Sequence, residues 1–281
     1  MIKIITMTSA YLALTLTACS KEQMTQPVQA DADNTTEQSQ TLRIAAAANL
    51  SDVLPEIIAG YKKDKSLPAQ EIEVTYASSG KLYAQITSGA PYDIFLSANQ
   101  EFPAKLAKEK LGKINSADKT IHQPFTYTQG QLALYSTTKS LQGLNAATLN
   151  ELLMNESDSK ITIANPELAP YGKSAQVYLQ TQNIYDALTE QKRIIQAENI
   201  GQAFQYAHTG NVDYGFVAQS QLTAMKATPE QFYTLAPESY PPILQDGLVL
   251  SSTAAATDFS DYLRSPAGQQ YFSAAGYLAV D

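Results

Sequence analysis

Short apolar segments alternate with amphipathic segments along the chain from Leu42 onward. Residues 42–47 form a nearly continuous apolar run, which predicts a buried strand. Residues 53–62 have the spacing of a helix with one apolar face, made of Val53, Ile57, Ile58 and Tyr61. The alternation continues, with strands predicted at 72–77, 93–96, 131–135, 161–164, 193–197, 214–217 and 243–250, and helices at 82–86, 102–108, 149–154, 175–181, 201–207, 259–263 and 269–274.

Strands separated by helices of this length predict an α/β fold with mainly parallel sheets flanked by helices. Two less regular runs, 122–130 and 236–242, interrupt the alternation, and the second holds three prolines. Each run is a candidate crossover between two lobes. Two crossings would make the second lobe an insertion in the first.

The first residues predict an export signal, residues 1–19. After Lys3, an apolar run of signal-peptide length ends in Leu-Thr-Ala-Cys, with the cysteine at position 19. This end resembles the bacterial lipobox, in which the cysteine is lipidated, and Cys19 is the single cysteine of the chain. An ordinary secretory signal with a chance cysteine is the alternative. Residues 20–41 are polar and predict a flexible tether with a reach of roughly 25 Å.

Composition narrows the classes of function. The formal net charge is −8 and no basic tract occurs, which argues against nucleic-acid binding. An acidic protein can still bind anions at helix N-termini, through fixed backbone dipoles. Two histidines, His122 and His208, and one cysteine leave little material for a transition-metal site. No cofactor and no direct metal ligand is therefore predicted.

Four predicted strand-to-helix junctions are small, neutral and rich in hydrogen-bond donors: 45–52, 77–80, 165–172 and 197–202. In an open α/β sheet such junctions lie at the carboxyl ends of strands, where ligands bind. Free N–H groups at the helix starts, helped by Asn49, Ser79 and Tyr171, would suit a fully ionised oxyanion. A protonated phosphate would also need a hydrogen-bond acceptor in the site, and Glu167 and Glu198 are nearby candidates.

Each feature also has a purely structural interpretation. Ser79 would serve equally as a helix N-cap, and Asn49 as a turn residue. Tyr171 is one of 17 tyrosines.

The chain resembles the periplasmic molybdate-binding proteins of molybdate transport systems, from about Leu42 to Val280. Its matching pieces, in the family's order, are RIAAAANL (43–50), ASSG (77–80), YAQI (83–86), GAPYDIFLSA (89–98), NP (165–166), APYG (169–172), NIGQA (199–203) and GFVA (215–218).

The resemblance implies a two-lobed binding-protein fold that closes on its anion. With the crossovers placed as above, lobe 1 comprises 42–127 and 237–281, and lobe 2 comprises 128–236. Position by position, the resemblance makes Asn49, Ser79 and Tyr171 anion-contacting side chains and Ile200 a backbone N–H donor. Ala48 is a weaker match. Part of the family has a ligand-contacting tyrosine where this chain has Ala218, and Tyr171 would supply a phenol from the opposite side.

The function implied is that of an extracytoplasmic, lipid-anchored monomer that captures molybdate or tungstate for an ABC transporter permease. A sulfate or phosphate receptor is the alternative within the binding class. A hydrolase is a different class, but the chain has no Gly-x-Ser-x-Gly elbow, no Walker loop and no paired metal-ligand motif. A purely structural lipoprotein is the third alternative.

Overall fold

The computed structural model describes residues 41–111 and 123–280. Cys19, the predicted signal peptide, residues 20–40 of the predicted tether and His122 lie outside the described residues. Within the described ranges, none of the helices has the length and apolar character needed to cross a bilayer.

The described chain forms strands and helices in alternation. The strands are β1 Leu42–Ala47, β2 Ile72–Ala77, β3 Ile94–Leu96, β4 Phe125–Gly130, β5 Leu132–Tyr135, β6 Ile161–Ala164, β7 Ile194–Ala197, β8 Tyr214–Ala218, β9 Phe232–Thr234 and β10 Ile243–Val249. The helices are α1 Val53–Asp64, α2 Ser79–Thr87, α3 Glu101–Leu111, α4 Ala146–Asn155, α5 Pro170–Thr181, α6 Tyr185–Glu190, α7 Ile200–His208, α8 Gln219–Ala224, α9 Ala254–Arg264 and α10 Pro266–Ala274. Two short 3-10 turns span Ala48–Leu50 and Pro237–Ser239.

The strands form two five-stranded sheets. The first has the order β2-β1-β3-β10-β4 and the second the order β7-β6-β8-β5-β9. In the first sheet β10 is antiparallel to both neighbours, whereas β1 pairs in parallel with β2 and β3. In the second sheet β5 has the corresponding reversed position. The predicted two-lobed α/β fold is confirmed, and each sheet is mixed because one strand is reversed.

The chain passes between the sheets twice. It leaves the first sheet after Gly130 and enters the second at Leu132, then returns between β9 and β10. We name the part built on the first sheet lobe 1 and the part built on the second sheet lobe 2. The boundary predicted between 127 and 128 falls inside β4, an edge strand whose mixed burial hides its alternation.

Each lobe has its own apolar core. In lobe 1, α1 buries Val53, Ile57 and Tyr61 of its predicted face, while Ile58 is only partly buried. The Tyr61 ring meets Phe259 of α9 edge to face at a centroid distance of 5.0 Å. These packed helices hold the strand ends, and therefore the junctions that follow them, in fixed positions.

Candidate functional site

A small cavity lies between the two lobes, at the carboxyl ends of β1, β2 and β7 and the start of α5. We name its lining the cleft pocket. Lobe 1 contributes Ala47, Ala48, Asn49, Ala77, Ser78, Ser79 and Ala98, and lobe 2 contributes Ala169, Pro170, Tyr171, Asn199 and Ile200. The structure thus brings together all five residues that the sequence singled out: Ala48, Asn49, Ser79, Tyr171 and Ile200.

The cleft pocket is small and carries no formal charge. Its cavity volume is about 10 Å³, close to the roughly 10–15 Å³ that one water-sized molecule needs. None of the lining residues is Lys, Arg, His, Asp or Glu. The pocket therefore has the dimensions for a small ion and offers it dipoles rather than cations.

Helix N-termini supply backbone donors to this pocket. Ser79 is the first residue of α2, Tyr171 the second of α5 and Ile200 the first of α7. N–H groups in a first helical turn have no partner inside their own helix. Among the described residues, no acceptor takes a hydrogen bond from these three backbone nitrogens. Helix starts from both lobes thus present unpaired donors and a favourable dipole end to an anion.

Ser79 does not cap its helix. The N-cap position belongs to Ser78, whose side chain makes no capping bond. The Ser79 Oγ instead accepts a hydrogen bond of 2.9 Å from the backbone N of Ala98. This leaves the Ser79 hydroxyl hydrogen for a ligand. The neighbouring Ser78 Oγ is also buried and has no partner among the described residues.

Asn49 is more than a turn residue. Its side chain is fully buried, and Nδ2 donates to Gln245 Oε1 and to Tyr277 Oη, each at 3.0 Å. Tyr277 Oη in turn donates to the backbone O of Asn49 at 2.8 Å. Asn49 Oδ1 is buried and has no partner in the described part of the chain. The 3-10 turn that carries Asn49 is therefore held by side chains from β10 and from the C-terminal segment.

Tyr171 reaches the pocket from lobe 2. Its side chain is 1% exposed, and its Oη accepts a hydrogen bond of 3.3 Å from Gln245 Nε2 of lobe 1. Burial raises the pKa of Tyr171 well above its usual value. The phenol therefore stays protonated at physiological pH and has a hydrogen to donate.

Sequence reasoning missed three contributors. Gln245 lies in β10 and has no exposed surface. Tyr277 follows α10. Tyr127 of β4 lies beside Gln245 and donates to Ser97 O at 2.9 Å. The one available signal was the polar pair Gln245 and Asp246 inside an otherwise apolar strand. A buried glutamine in such a strand indicates a specific partner.

The other residues that the sequence analysis considered for a binding site lie outside the cleft pocket. Ala218 is buried at the end of β8 and does not line the pocket; its N–H donates to Gln221, whose Nε2 donates to Ile200 O at 3.2 Å. Glu167 and Glu198 are exposed and stand outside the lining. His208 stacks on aromatic rings of lobe 2 and its Nδ1 is 3.0 Å from Tyr135 Oη.

Direct contacts tie the lobes together around the pocket. Gly80 N of α2 donates to Leu168 O of lobe 2 at 2.9 Å. Lys81 Nζ lies 2.5 Å from Glu198 Oε1 at the rim. Ser220 Oγ of α8 lies 3.4 Å from the Asn49 carbonyl that it donates to. The conformation is therefore closed, because backbone, ion-pair and hydroxyl contacts all join the two lobes.

Comparison with known proteins agrees with this geometry. The molybdate-binding protein ModA of Rhodobacter capsulatus is 32% identical over 261 residues, covering 85% of this chain and 97% of that protein. ModA of Azotobacter vinelandii is 30% identical over 244 residues, covering 85% and 90%. The solved periplasmic molybdate-binding protein of Azotobacter vinelandii superimposes with a TM-score of 0.75 at 31% identity, covering 85% of this chain and all of that one.

These similarities confirm the resemblance found in the sequence. Residues 42–278 match the family model described as bacterial extracellular solute-binding protein. This range contains both sheets and every residue of the cleft pocket. The chain belongs to the bacterial extracellular solute-binding protein family.

Proposed function

We propose that this protein captures a tetrahedral oxyanion, molybdate or tungstate, between its lobes and delivers it to the permease of an ABC transporter. The observation that carries the proposal is the convergence of uncharged donors from both lobes on one ion-sized cavity. The names of the relatives in Rhodobacter capsulatus and Azotobacter vinelandii support molybdate as the anion.

Neutral donors suffice to hold a doubly charged anion. The Ser79 and Tyr171 hydroxyls and the backbone N–H groups of Ser79, Tyr171 and Ile200 offer five donors. A hydrogen bond to a charged partner contributes about 1.5–3 kcal/mol when buried. Several such bonds allow sub-micromolar binding, about −8 kcal/mol or stronger, after the ordering terms are subtracted.

Closure couples capture to delivery. Ser79 belongs to lobe 1, whereas Tyr171 and Ile200 belong to lobe 2, so an anion that contacts all three favours the closed state. The Asn49 amide nitrogen has given both hydrogens to Gln245 and Tyr277, so its side chain supports the turn and does not donate to the anion. The closed contacts Gly80–Leu168 and Lys81–Glu198 would form only when the lobes meet. A permease that recognises the closed form would then distinguish loaded from empty receptor.

The lining argues against the alternative ligands and reactions. A protonated phosphate needs a strong acceptor, and the two candidate carboxylates, Glu167 and Glu198, stand outside the pocket. Sulfate has the same charge and shape as molybdate, so exclusion of sulfate would depend on cavity size. For hydrolysis, Ser79 would need a general base, and no His, Asp or Glu of the described residues lines the pocket. Binding without turnover fits this lining.

We also propose that Cys19 carries the lipid that anchors the protein on the extracytoplasmic side of a membrane, where it acts as a monomer. The family's extracellular character supports the location. Metabolic labelling with a radioactive fatty acid tests the anchor, because Cys19→Ser would abolish the label if Cys19 is the lipidation site.

Calorimetry and a thermal-shift screen test the proposed ligand. Molybdate and tungstate should raise the melting temperature, with sulfate, phosphate and chromate as comparison anions. The double variant Ser79→Ala, Tyr171→Phe should weaken molybdate binding by at least about tenfold.

The matched control is Ser260→Ala, Tyr178→Phe. It removes a buried serine and a buried tyrosine hydroxyl outside the pocket, and should retain wild-type affinity. A wild-type protein that binds neither molybdate nor tungstate would refute the proposal.

A further inference from the structure

A series of four hydrogen-bonded side chains links the C-terminal segment to the cleft pocket: Tyr277, Asn49, Gln245 and Tyr171. Tyr277 Oη contacts Asn49, Asn49 Nδ2 contacts Gln245 Oε1, and Gln245 Nε2 contacts Tyr171 Oη. All four side chains are at most 5% exposed. The last contact crosses from lobe 1 to lobe 2. We name this series of four side chains the amide relay.

The direction of every hydrogen bond in the amide relay follows from its first member. A tyrosine hydroxyl has one hydrogen, and that of Tyr277 goes to the Asn49 carbonyl at 2.8 Å. Tyr277 Oη must then accept, so the Asn49 side-chain atom 3.0 Å away is the donor Nδ2. The second hydrogen of this nitrogen requires an acceptor, and Gln245 supplies Oε1.

The Gln245 amide therefore presents its nitrogen to Tyr171. If the amide turned round, Nε2 would face Asn49 Nδ2, donor against donor, and Oε1 would face Tyr171. As it stands, Gln245 Nε2 donates to Tyr171 Oη at 3.3 Å and occupies a lone pair of that oxygen. The Tyr171 hydrogen has no acceptor among the described residues, so it is free for the pocket that Tyr171 lines.

We infer that Gln245 is a positioning residue that fixes Tyr171 as a hydrogen-bond donor to the bound anion. Gln245 does not line the pocket and acts through the phenol that it orients. This inference rests on the proposed oxyanion binding. It adds a residue of lobe 1 to the determinants of a contact made by lobe 2, so the orientation is complete only in the closed state.

The test is a double-mutant cycle between Gln245→Met and Tyr171→Phe, with molybdate affinity measured by calorimetry. Gln245→Met alone should weaken binding about tenfold, the loss of one charge-assisted bond. In the Tyr171→Phe background the same change should have little effect, because no hydroxyl remains to be oriented. The melting temperature of the ligand-free variants separates affinity from general stability.

Two further variants sharpen the test. Gln245→Glu keeps the side-chain shape and the acceptor for Asn49, but offers Tyr171 an oxygen, which would draw the phenol hydrogen away from the pocket. It should weaken binding at least as much as Gln245→Met. The matched control is Gln176→Met, because Gln176 Nε2 also donates to a tyrosine hydroxyl, that of Tyr185 at 3.2 Å, outside the pocket. It should bind normally.

The outcomes are separable. If wild type binds molybdate and Gln245→Met weakens binding equally in both backgrounds, or in neither, the relay is refuted and the proposed function stands. If wild type binds neither molybdate nor tungstate, the proposed function fails and the inference fails with it.

Discussion

Gly130 lies so close to the Tyr171 hydroxyl that a Cβ atom at position 130 would overlap with Tyr171 Oη. Gly130 ends β4 in lobe 1, whereas Tyr171 is the second residue of α5 in lobe 2. The same hypothetical Cβ would lie 2.8 Å from Gln245 Nε2. The absence of a side chain at Gly130 therefore makes room for the phenol when the lobes are closed.

Gly130→Ala should weaken molybdate binding by at least about tenfold, because the added methyl group displaces the phenol or holds the lobes apart. The loss should be smaller in a Tyr171→Phe background, where the closest overlapping atom is gone. Calorimetry and the melting temperature of the ligand-free protein are the measurements. A variant that loses stability but keeps full affinity would show that Gly130 serves only the sheet.

The order of strands and helices could be predicted from the sequence wherever burial was one-sided or complete. β1 and β2 have the predicted limits, 42–47 and 72–77. The short elements α6, α8 and β9 were not predicted, because three to six residues are too few to show a periodic pattern of apolar residues.

The site could be predicted in part, for a physical reason. Asn49 and Ser79 follow strand ends of the first sheet and Tyr171 follows a strand end of the second, and the strand ends of an open sheet meet at one edge. Ala48 and Ile200 were assigned to the site only through the family resemblance. Gln245 and Tyr277 support Asn49 from 196 and 228 residues away along the chain. Such long-range polar pairs have no local pattern, so only the folded chain reveals them.

Asn199→Ala should lower both stability and anion affinity. The Asn199 side chain caps α7 by accepting from Gln202 N at 3.0 Å, and this cap fixes the turn that carries the Ile200 N–H. Loss of such a cap costs about 1 kcal/mol of unfolding free energy. Molybdate affinity, measured by calorimetry, should fall several-fold because the Ile200 donor is less well ordered.

Asn145→Ala is the matched control for the cap. Asn145 caps α4 by accepting from Ala147 N and Thr148 N, outside the cleft pocket. It should lower the melting temperature similarly and leave the affinity unchanged. Equal affinity losses in the two variants would mean that binding responds to global stability and not to the α7 terminus.

Lys81→Met should weaken binding by no more than about fivefold, because the Lys81–Glu198 pair is substantially exposed and such pairs contribute about 0.2–1 kcal/mol. The pair joins the lobes, so it stabilises only the closed state. Its contribution should decline as sodium chloride is raised, and the variant's affinity should depend less on salt.

Lys65→Met is the control for this rim pair. Lys65 Nζ lies 2.6 Å from Asp258 Oδ1 with similar exposure, but both residues belong to lobe 1. Its removal should not change molybdate affinity at any salt concentration. A salt effect of the same size in both variants would assign the effect to bulk electrostatics.

Affinity and stability should respond differently to alkaline pH. Burial raises the pKa values of Tyr127, Tyr171 and Tyr277 above 10.0, the usual value for tyrosine, and raises that of Tyr178 to about 12. Folding therefore favours the protonated phenols, and their contribution is complete below pH 10. Above it the unfolded chain releases these protons first, so the free energy of unfolding falls as pH rises. Because no charged side chain within residues 41–111 and 123–280 lines the pocket, molybdate affinity should stay flat from about pH 7 to about pH 9. Denaturant titrations with tyrosinate absorbance measure the free energy of unfolding, and calorimetry measures the molybdate affinity. An affinity that changes near pH 7 would require a histidine or another perturbed group at the anion and would contradict this prediction.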